Sequence, residues 1–149
     1  MRLTTKGRYA VTAMLDIALY EGMGPVSVSQ IAERQNISAS YLEQLVGKLK
    51  RAGLLRSHKG PGGGYILGQA GAQISVSTII TSVGEGVDAT RCGGRADCQE
   101  GHMCLTHDLW ADLSAQIDEF LQGISLACLV EQHGDVGASP DRIAATLLR

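Results

Sequence analysis

Three cysteines and a histidine fall within sixteen residues of the 149-residue chain: Cys92, Cys98, Cys104 and His107. Thiolates and imidazole are the side chains that hold zinc, copper or iron–sulfur clusters, and no other stretch gathers so many of them. The spacing is Cys-x5-Cys-x5-Cys-x2-His, wider than the steps of common zinc knuckles. Gly93, Gly94 and Gly101 make the stretch flexible in sequence terms. Only the Cys104–His107 step matches a helix, where residues three apart share a face. The residues alone leave several chemistries open. They are a metal or cluster site, a thiol redox switch, a disulfide with a spare thiol, and a catalytic zinc with an open position. No general base is paired with the stretch by motif, which weighs against catalysis. Cys128 stands apart and is expected to be a small buried hydrophobe.

The rest of the chain must position these donors. Hydrophobic residues are 44% of it and charged residues 19%, which fits a globular domain with a proper core. The longest apolar runs are too short for a membrane helix, so no membrane partner is expected. MRLTTKGRYAV at the front has charges, no sustained apolar stretch and no cleavage site, which predicts no signal peptide and a cytoplasmic address. Thiols stay reduced there, so a cysteine cluster points to metal or redox chemistry before a structural disulfide.

The net charge of −2 hides an asymmetry. Residues 1–68 carry nine Lys/Arg against four Asp/Glu, giving +5; residues 69–149 carry four against eleven, giving −7. A basic front half implies that this part faces a polyanion.

The hydrophobic pattern supplies the scaffold. Ala10, Ala13, Met14, Ile17 and Ala18 follow helical spacing over residues 8–20. Ser27 and Gln30 form a capping box for a short helix to about Gln35. Asn36-Ile37-Ser38 reads as a turn, and a second helix runs over 39–52, with Leu42, Leu45, Val46 and Leu49 inward. Short helix, tight turn and longer helix make a helix-turn-helix, whose second helix enters a DNA major groove. Residues 54–58 and 64–67 read as two strands joined by Lys59-Gly60-Pro61-Gly62-Gly63, which adds a wing. A nucleotide-binding reading of this glycine run fails, because no Gly-Lys-Ser/Thr follows it. Ser40, Tyr41, Glu43, Gln44, Lys48 and Arg51 on the second helix and Lys59 on the wing are the candidate DNA contacts, with Arg56 and His58 beside them.

Val76, Ile79, Ile80 and Val83 form a further helical face. The longest helical pattern runs from Leu105 to about Gly123. Trp110, Leu113, Ile117, Phe120 and Ile124 make a heptad seam, and Leu105, Leu109 and Leu121 a second stripe. One core needs one buried face, so the other predicts a partner subunit and a homodimer. Leu126, Leu129 and Val130 promise another short helix over 125–133. The expected fold is mainly α with a small β-hairpin. Its winged helix-turn-helix DNA-binding domain spans 1–86 and its ligand loop 87–107. A dimerisation helix region covers 105–131, and a loosely ordered tail 132–149.

These stretches resemble the IscR-type iron–sulfur-cluster regulators, bacterial winged-helix transcription factors. MRLTTKGRYAVTAMLDIAL, ISASYLEQLVGKLKRAGLL, KGPGGGYILG, VDATRC and CLTHDLW carry the likeness, over roughly residues 1–130. The resemblance implies a homodimer with one [2Fe–2S] cluster per subunit, ligated by Cys92, Cys98, Cys104 and His107. Spacing alone does not separate this from a Cys3His zinc site. It also implies a double-stranded DNA operator and the iron–sulfur assembly machinery as cluster donor. The cluster-bound form would repress the genes of that machinery, and the cluster-free form would bind a second class of site. Glu43 matches the position that discriminates the two. The wing position where the family carries arginine is Lys59 here; lysine keeps the charge but not the planar fork. A regulator of the same fold with another metal centre, sensing redox state, nitric oxide or iron, is the alternative. An enzyme or a pure protein-interaction module fits the basic front half less well.

Overall fold

The computed structural model describes residues 4–86, 95–96 and 101–133. These form six α-helices and a two-stranded antiparallel hairpin, the mainly-α winged helix that the sequence predicts.

Helix α1 runs Thr5–Tyr20. It starts three residues before the apolar periodicity does. Thr4 caps it, Oγ1 accepting the Gly7 N–H at 3.2 Å, while the first turn offers Lys6, Gly7 and Arg8 and no large apolar residue. Ala10, Ala13, Met14 and Ile17 are wholly buried, and α1 is the central helix of the core. Helix α2, Val28–Gln35, has the expected capping box: Gln30 N–H donates to Ser27 Oγ at 3.2 Å, and Ser27 N–H to Gln30 Oε1 at 2.9 Å. Asn36 ends it at φ 54°, a left-handed conformation that asparagine tolerates. Helix α3, Ala39–Arg51, then starts on a Ser38 cap, and Leu42, Leu45, Val46 and Leu49 all enter the core.

An ion pair between buried Asp16 and the more exposed Arg34, which the hydrophobic pattern does not signal, locks α1 to α2. Asp16 accepts both Nε and Nη2 of Arg34, at 3.0 and 2.7 Å, and Gln35 Nε2 at 2.9 Å. The Arg34 guanidinium also lies 3.9 Å from the centre of the Tyr20 ring. Its pKa is raised, first by the hydrogen bond to Asp16.

The wing pairs β1, Leu55–His58, with β2, Gly64–Leu67, in the register Leu55↔Leu67 to His58↔Gly64. Leu54, expected in the first strand, instead lies buried just before it. Val26 joins the hairpin as an extra bridge, exchanging both backbone hydrogen bonds with Tyr65 at 2.9 and 2.7 Å. The glycine run is a steric necessity here. A Cβ on Gly64 would fall 2.5 Å from the Val26 carbonyl, and one on Gly63 2.5 Å from the His58 oxygen.

Ser75 caps helix α4, Val76–Ser82, whose Val76, Ile79 and Ile80 are buried. Helix α5 spans His107–Gln122 and helix α6 Leu126–His133. Backbone bonds from Val76 to Ile124 and from Leu126 to Ile74, at 2.9 and 2.8 Å, stitch α6 back beside the start of α4. Leu126 thereby joins the same core as α1. Cys128 corrects the expectation of a buried thiol: it is exposed. Leu126 points inward, and a residue two positions on is turned by about 200° of helix. Of the expected tail, 132–149, Gln132 and His133 belong to helix α6, and residues 134–149 lie outside the described residues. Among the described residues no helix is long and apolar enough to cross a membrane.

Candidate functional site

The core face of α3 dictates its outer face. With Leu42, Leu45, Val46 and Leu49 inward, Ser40, Glu43, Gln44 and Arg51 stand exposed, and Tyr41 and Lys48 half-exposed. All six candidate contacts of this helix therefore share its outward side. Ser40 Oγ lies 3.0 Å from the Ser38 cap hydroxyl, which fixes it at the helix start. The Tyr41 ring packs edge-on against Tyr9 of α1, 5.8 Å between centroids, so it serves the packing of α1 on α3 as well. Lys59 is exposed at the hairpin turn, with Arg56 and His58 exposed on β1.

The fold adds one cation that sequence reading misses. Lys6, in the first turn of α1, comes beside Lys48 of α3 as a second positive charge. The Lys48 pKa is lowered, first by that contact, then by partial loss of solvent, then by the charges of Lys6 and Arg51; Glu85 acts the other way. Lys6 Nζ also lies 3.9 Å from where a Cβ on Gly84 would sit. No local signal could have found this pairing, because 42 residues separate Lys6 from Lys48 and only the packing of α1 on α3 joins them.

Of the four candidate ligands, Cys92 and Cys98 lie outside the described residues. Cys104 and His107 are brought together at the head of α5. His107, expected two residues inside a helix from Leu105, is its first residue; Leu105 and Thr106 form a turn and Leu105 is fully exposed. The His107 N–H donates to the Cys104 carbonyl at 3.2 Å, closing that turn. Trp110 Nε1–H donates to Thr106 Oγ1 at 3.0 Å and pins it from the next turn. His107 is buried and Cys104 half-buried, with Cys104 Sγ 4.0 Å from Thr106 Oγ1. Among the described residues no three metal-binding side chains converge. The donor set itself, three thiols and an imidazole, suits a soft or borderline metal centre.

The body of α5 touches the protomer chiefly through α4. Asp118 accepts from Ser77 Oγ and from Gln122 Nε2, both at 2.6 Å. Trp110, Leu113 and Phe120 of the heptad seam are exposed, while Ile117 and Ile124 are half-buried. Leu109 of the second stripe is exposed too, so the protomer's own core takes less of this helix than two stripes predict.

The sequence model of the Rrf2 family, described as an iron-dependent transcriptional regulator, matches residues 3–132. The chain belongs to the Rrf2 family. Its Rrf2 relatives include an HTH-type transcriptional regulator IscR of Sodalis glossinidius (strain morsitans), 61% identical over 133 residues, 89% of this chain and 81% of that one. Among Rrf2-like solved structures, T. potens IscR superposes with a TM-score of 0.76 at 35% identity, covering 97% of this chain and 96% of that one. CymR, the global cysteine regulator of B. subtilis, gives 0.75 at 33% identity, covering 88% and 97%. This Rrf2 chain is a DNA-binding transcription regulator with a winged helix, and not an enzyme.

Proposed function

We propose that this regulator reports iron–sulfur supply to DNA through a [2Fe–2S] cluster, one per subunit, held by Cys92, Cys98, Cys104 and His107. The observation that carries the reading is the head of α5. Two soft donors, Cys104 and His107, are fixed by one backbone turn to a helix whose apolar side is exposed. The homodimer seam is Trp110, Leu113, Ile117, Phe120 and Ile124, so ligand geometry and subunit pairing share one rigid element. When bound, the cluster supplies a signal that lasts only while iron and sulfide are available.

His107 weakens the donor set relative to four thiolates, since imidazole is neutral and competes with protons for its lone pair. That suits a sensor that must release its cofactor, which the assembly machinery would donate. In this division of labour residues 1–86 bind the operator, 87–107 hold the cluster and 105–131 pair the subunits in the cytoplasm. Ser40, Tyr41 and Gln44 read base edges or nearby phosphates, and Lys48, Arg51 and Lys59 contact phosphates. Glu43 accepts from a cytosine amino group; opposite a base with no donor its carboxylate stays unpaired and binding weakens. Repression of cluster-assembly genes by the loaded form follows as the main output.

Protein purified without oxygen should be red-brown with about two irons per subunit. A colourless protein with one zinc would sink the cluster reading. Cys92→Ala should lose the colour yet still bind one class of operator, and loss of all DNA binding would break the two-form scheme.

A further inference from the structure

The wing is tied to the core along one edge of β2. In an antiparallel strand the backbone donors point alternately to its two sides. Gly68 N–H donates to the Leu54 carbonyl at 2.9 Å, on the β1 side, so Tyr65 and Leu67 turn their N–H groups to the outer edge. Val26 takes the first of these places: it exchanges both backbone hydrogen bonds with Tyr65, at 2.9 and 2.7 Å. An unbroken strand would next offer Leu67 a carbonyl from residue 24, two before Val26. Gly24 instead closes the short 3-10 helix Glu21–Met23, its N–H bonded to the Glu21 carbonyl at 3.0 Å and its φ at 124°. The backbone pairing therefore stops at the single Val26 bridge. The Glu21 side chain fills the vacant place. Its Oε2 accepts the Leu67 N–H at 3.0 Å, across 46 residues of sequence. Glu21 is half-buried there, and Leu67 packs against the hydrophobic core.

We propose that Glu21 is a positioning residue for DNA recognition: its carboxylate fixes the tilt of the wing and so places Lys59 on the DNA backbone. This rests on the reading of Lys59 as a phosphate contact. One bridge, at Tyr65, fixes a point on the outer edge of β2; a second tie, two residues along that edge, fixes a direction. A two-stranded hairpin has little stability of its own, so its direction comes from such ties. Lys59, exposed at the turn, must meet a phosphate oxygen within about 3 Å, and a changed tilt removes that contact. Glu21 works against its own charge. An acid near DNA ordinarily weakens binding to the polyanion, whereas this one strengthens it by where it holds the wing.

The test uses full-length protein purified without oxygen and a fluorescent duplex that the wild type enriches from a random pool. Two substitutions separate reach from charge. Glu21→Gln keeps an acceptor oxygen at the same reach and removes the charge, so it should bind as tightly as the wild type or more tightly. Glu21→Asp keeps the charge but is one methylene shorter, so it should bind roughly fivefold more weakly, the worth of one hydrogen bond. The opposite order would mean that Glu21 acts by charge alone and would overturn the proposal, as would two variants that both bind like the wild type. Lys59→Gln should lower the slope of log affinity against log salt by about 0.9 per bound protomer. Adding Glu21→Asp to Lys59→Gln should lower it no further, since both remove the same contact; losses that add would show that Glu21 does not act through the wing. The Leu67 amide should exchange its hydrogen faster in Glu21→Asp and stay protected in Glu21→Gln, and equal protection in the two counts against the tie. Thermal melts establish that the variants fold. If Glu21→Asp does not fold, Glu21→Gln still decides, because weaker binding there is incompatible with the proposal. If Lys59→Gln binds like the wild type, the wing reading fails and the proposal with it. If Lys59→Gln weakens binding and Glu21→Asp does not, only the role of Glu21 fails.

Discussion

In α3, Leu42, Leu45, Val46 and Leu49 are each no more than 1% exposed, whereas in α5 Trp110, Leu113 and Phe120 are 39%, 36% and 67% exposed. Both helices are amphipathic, and α5 is the longer by three residues, 16 against 13. Helices of this length draw most of their stability from packing an apolar face, not from propensity. Helix α3 finds that packing on α1 and α2 within its own chain. Its polar side is then held rigidly outward, as the proposed reading of DNA requires. Helix α5 has only α4 as its main support, with a row of large apolar side chains left facing outward. An apolar row of that kind marks a surface made for a partner. The contrast separates two kinds of surface: one exposes polar groups because its core is complete, the other exposes apolar groups because the protomer leaves them uncovered, as the proposed subunit pairing requires.

The contrast predicts opposite responses to the same type of truncation. Leu45→Ala in α3 should destabilise the fold by about 2–5 kcal/mol, since the site is fully packed and leaves a cavity. Urea unfolding checks this as a lower midpoint at unchanged slope. A loss under about 1 kcal/mol would mean that α3 is not seated as described.

Phe120→Ala should hardly change the packing of the isolated protomer, because most of the ring is exposed there. Its effect should appear in association instead. An anchor side chain at the centre of an interface is worth about 2 kcal/mol, or roughly thirtyfold in the dimer dissociation constant. Sedimentation equilibrium measures it directly. Phe120 tests the proposed interface more cleanly than Trp110, whose indole N–H holds Thr106 in the turn between Cys104 and His107. An unchanged dissociation constant would take the Phe120 side of α5 out of the subunit contact.

What could be read from the chain follows the range of the interactions. The Ser27–Gln30 box and the inward face of α3 were legible, because each is written within one or two helical turns. The hairpin was legible from its glycines, although the reason for Gly64 is the Val26 backbone, 38 residues earlier. The Asp16–Arg34–Gln35 lock and the Lys6–Lys48 contact were not legible. A charged residue on a helix looks solvated until the fold supplies its neighbour. Cys128 was misread because apolar composition shows that α6 has a buried side but not which residue defines it; Leu126 does. In the cysteine-rich segment, residue types singled out candidate donors, and the structure placed two of them, Cys104 and His107, on one turn.

The smallest expected effect on the fold falls on the polar side of α3. Glu43 is exposed in mid-helix, so Glu43→Ala removes no buried contact and brings in the best helix former; stability should stay within about 0.5 kcal/mol. The same change should alter selectivity between duplexes. A carboxylate in the groove is satisfied only where a cytosine amino group faces it, and is an unpaired charge near phosphates elsewhere. Removing it should strengthen binding to duplexes the cluster-free protein normally rejects, by about tenfold, the lower end of what one base-edge contact discriminates. Competition between two duplex classes, with a melt on the same sample, reads both quantities. Leu45 and Glu43 lie two positions apart on α3, on opposite sides of it: one should change stability while Glu43 changes only which DNA is held. A large stability loss at Glu43 with unchanged selectivity would show that this side of α3 is engaged within the protomer, and the division between its two faces would fail.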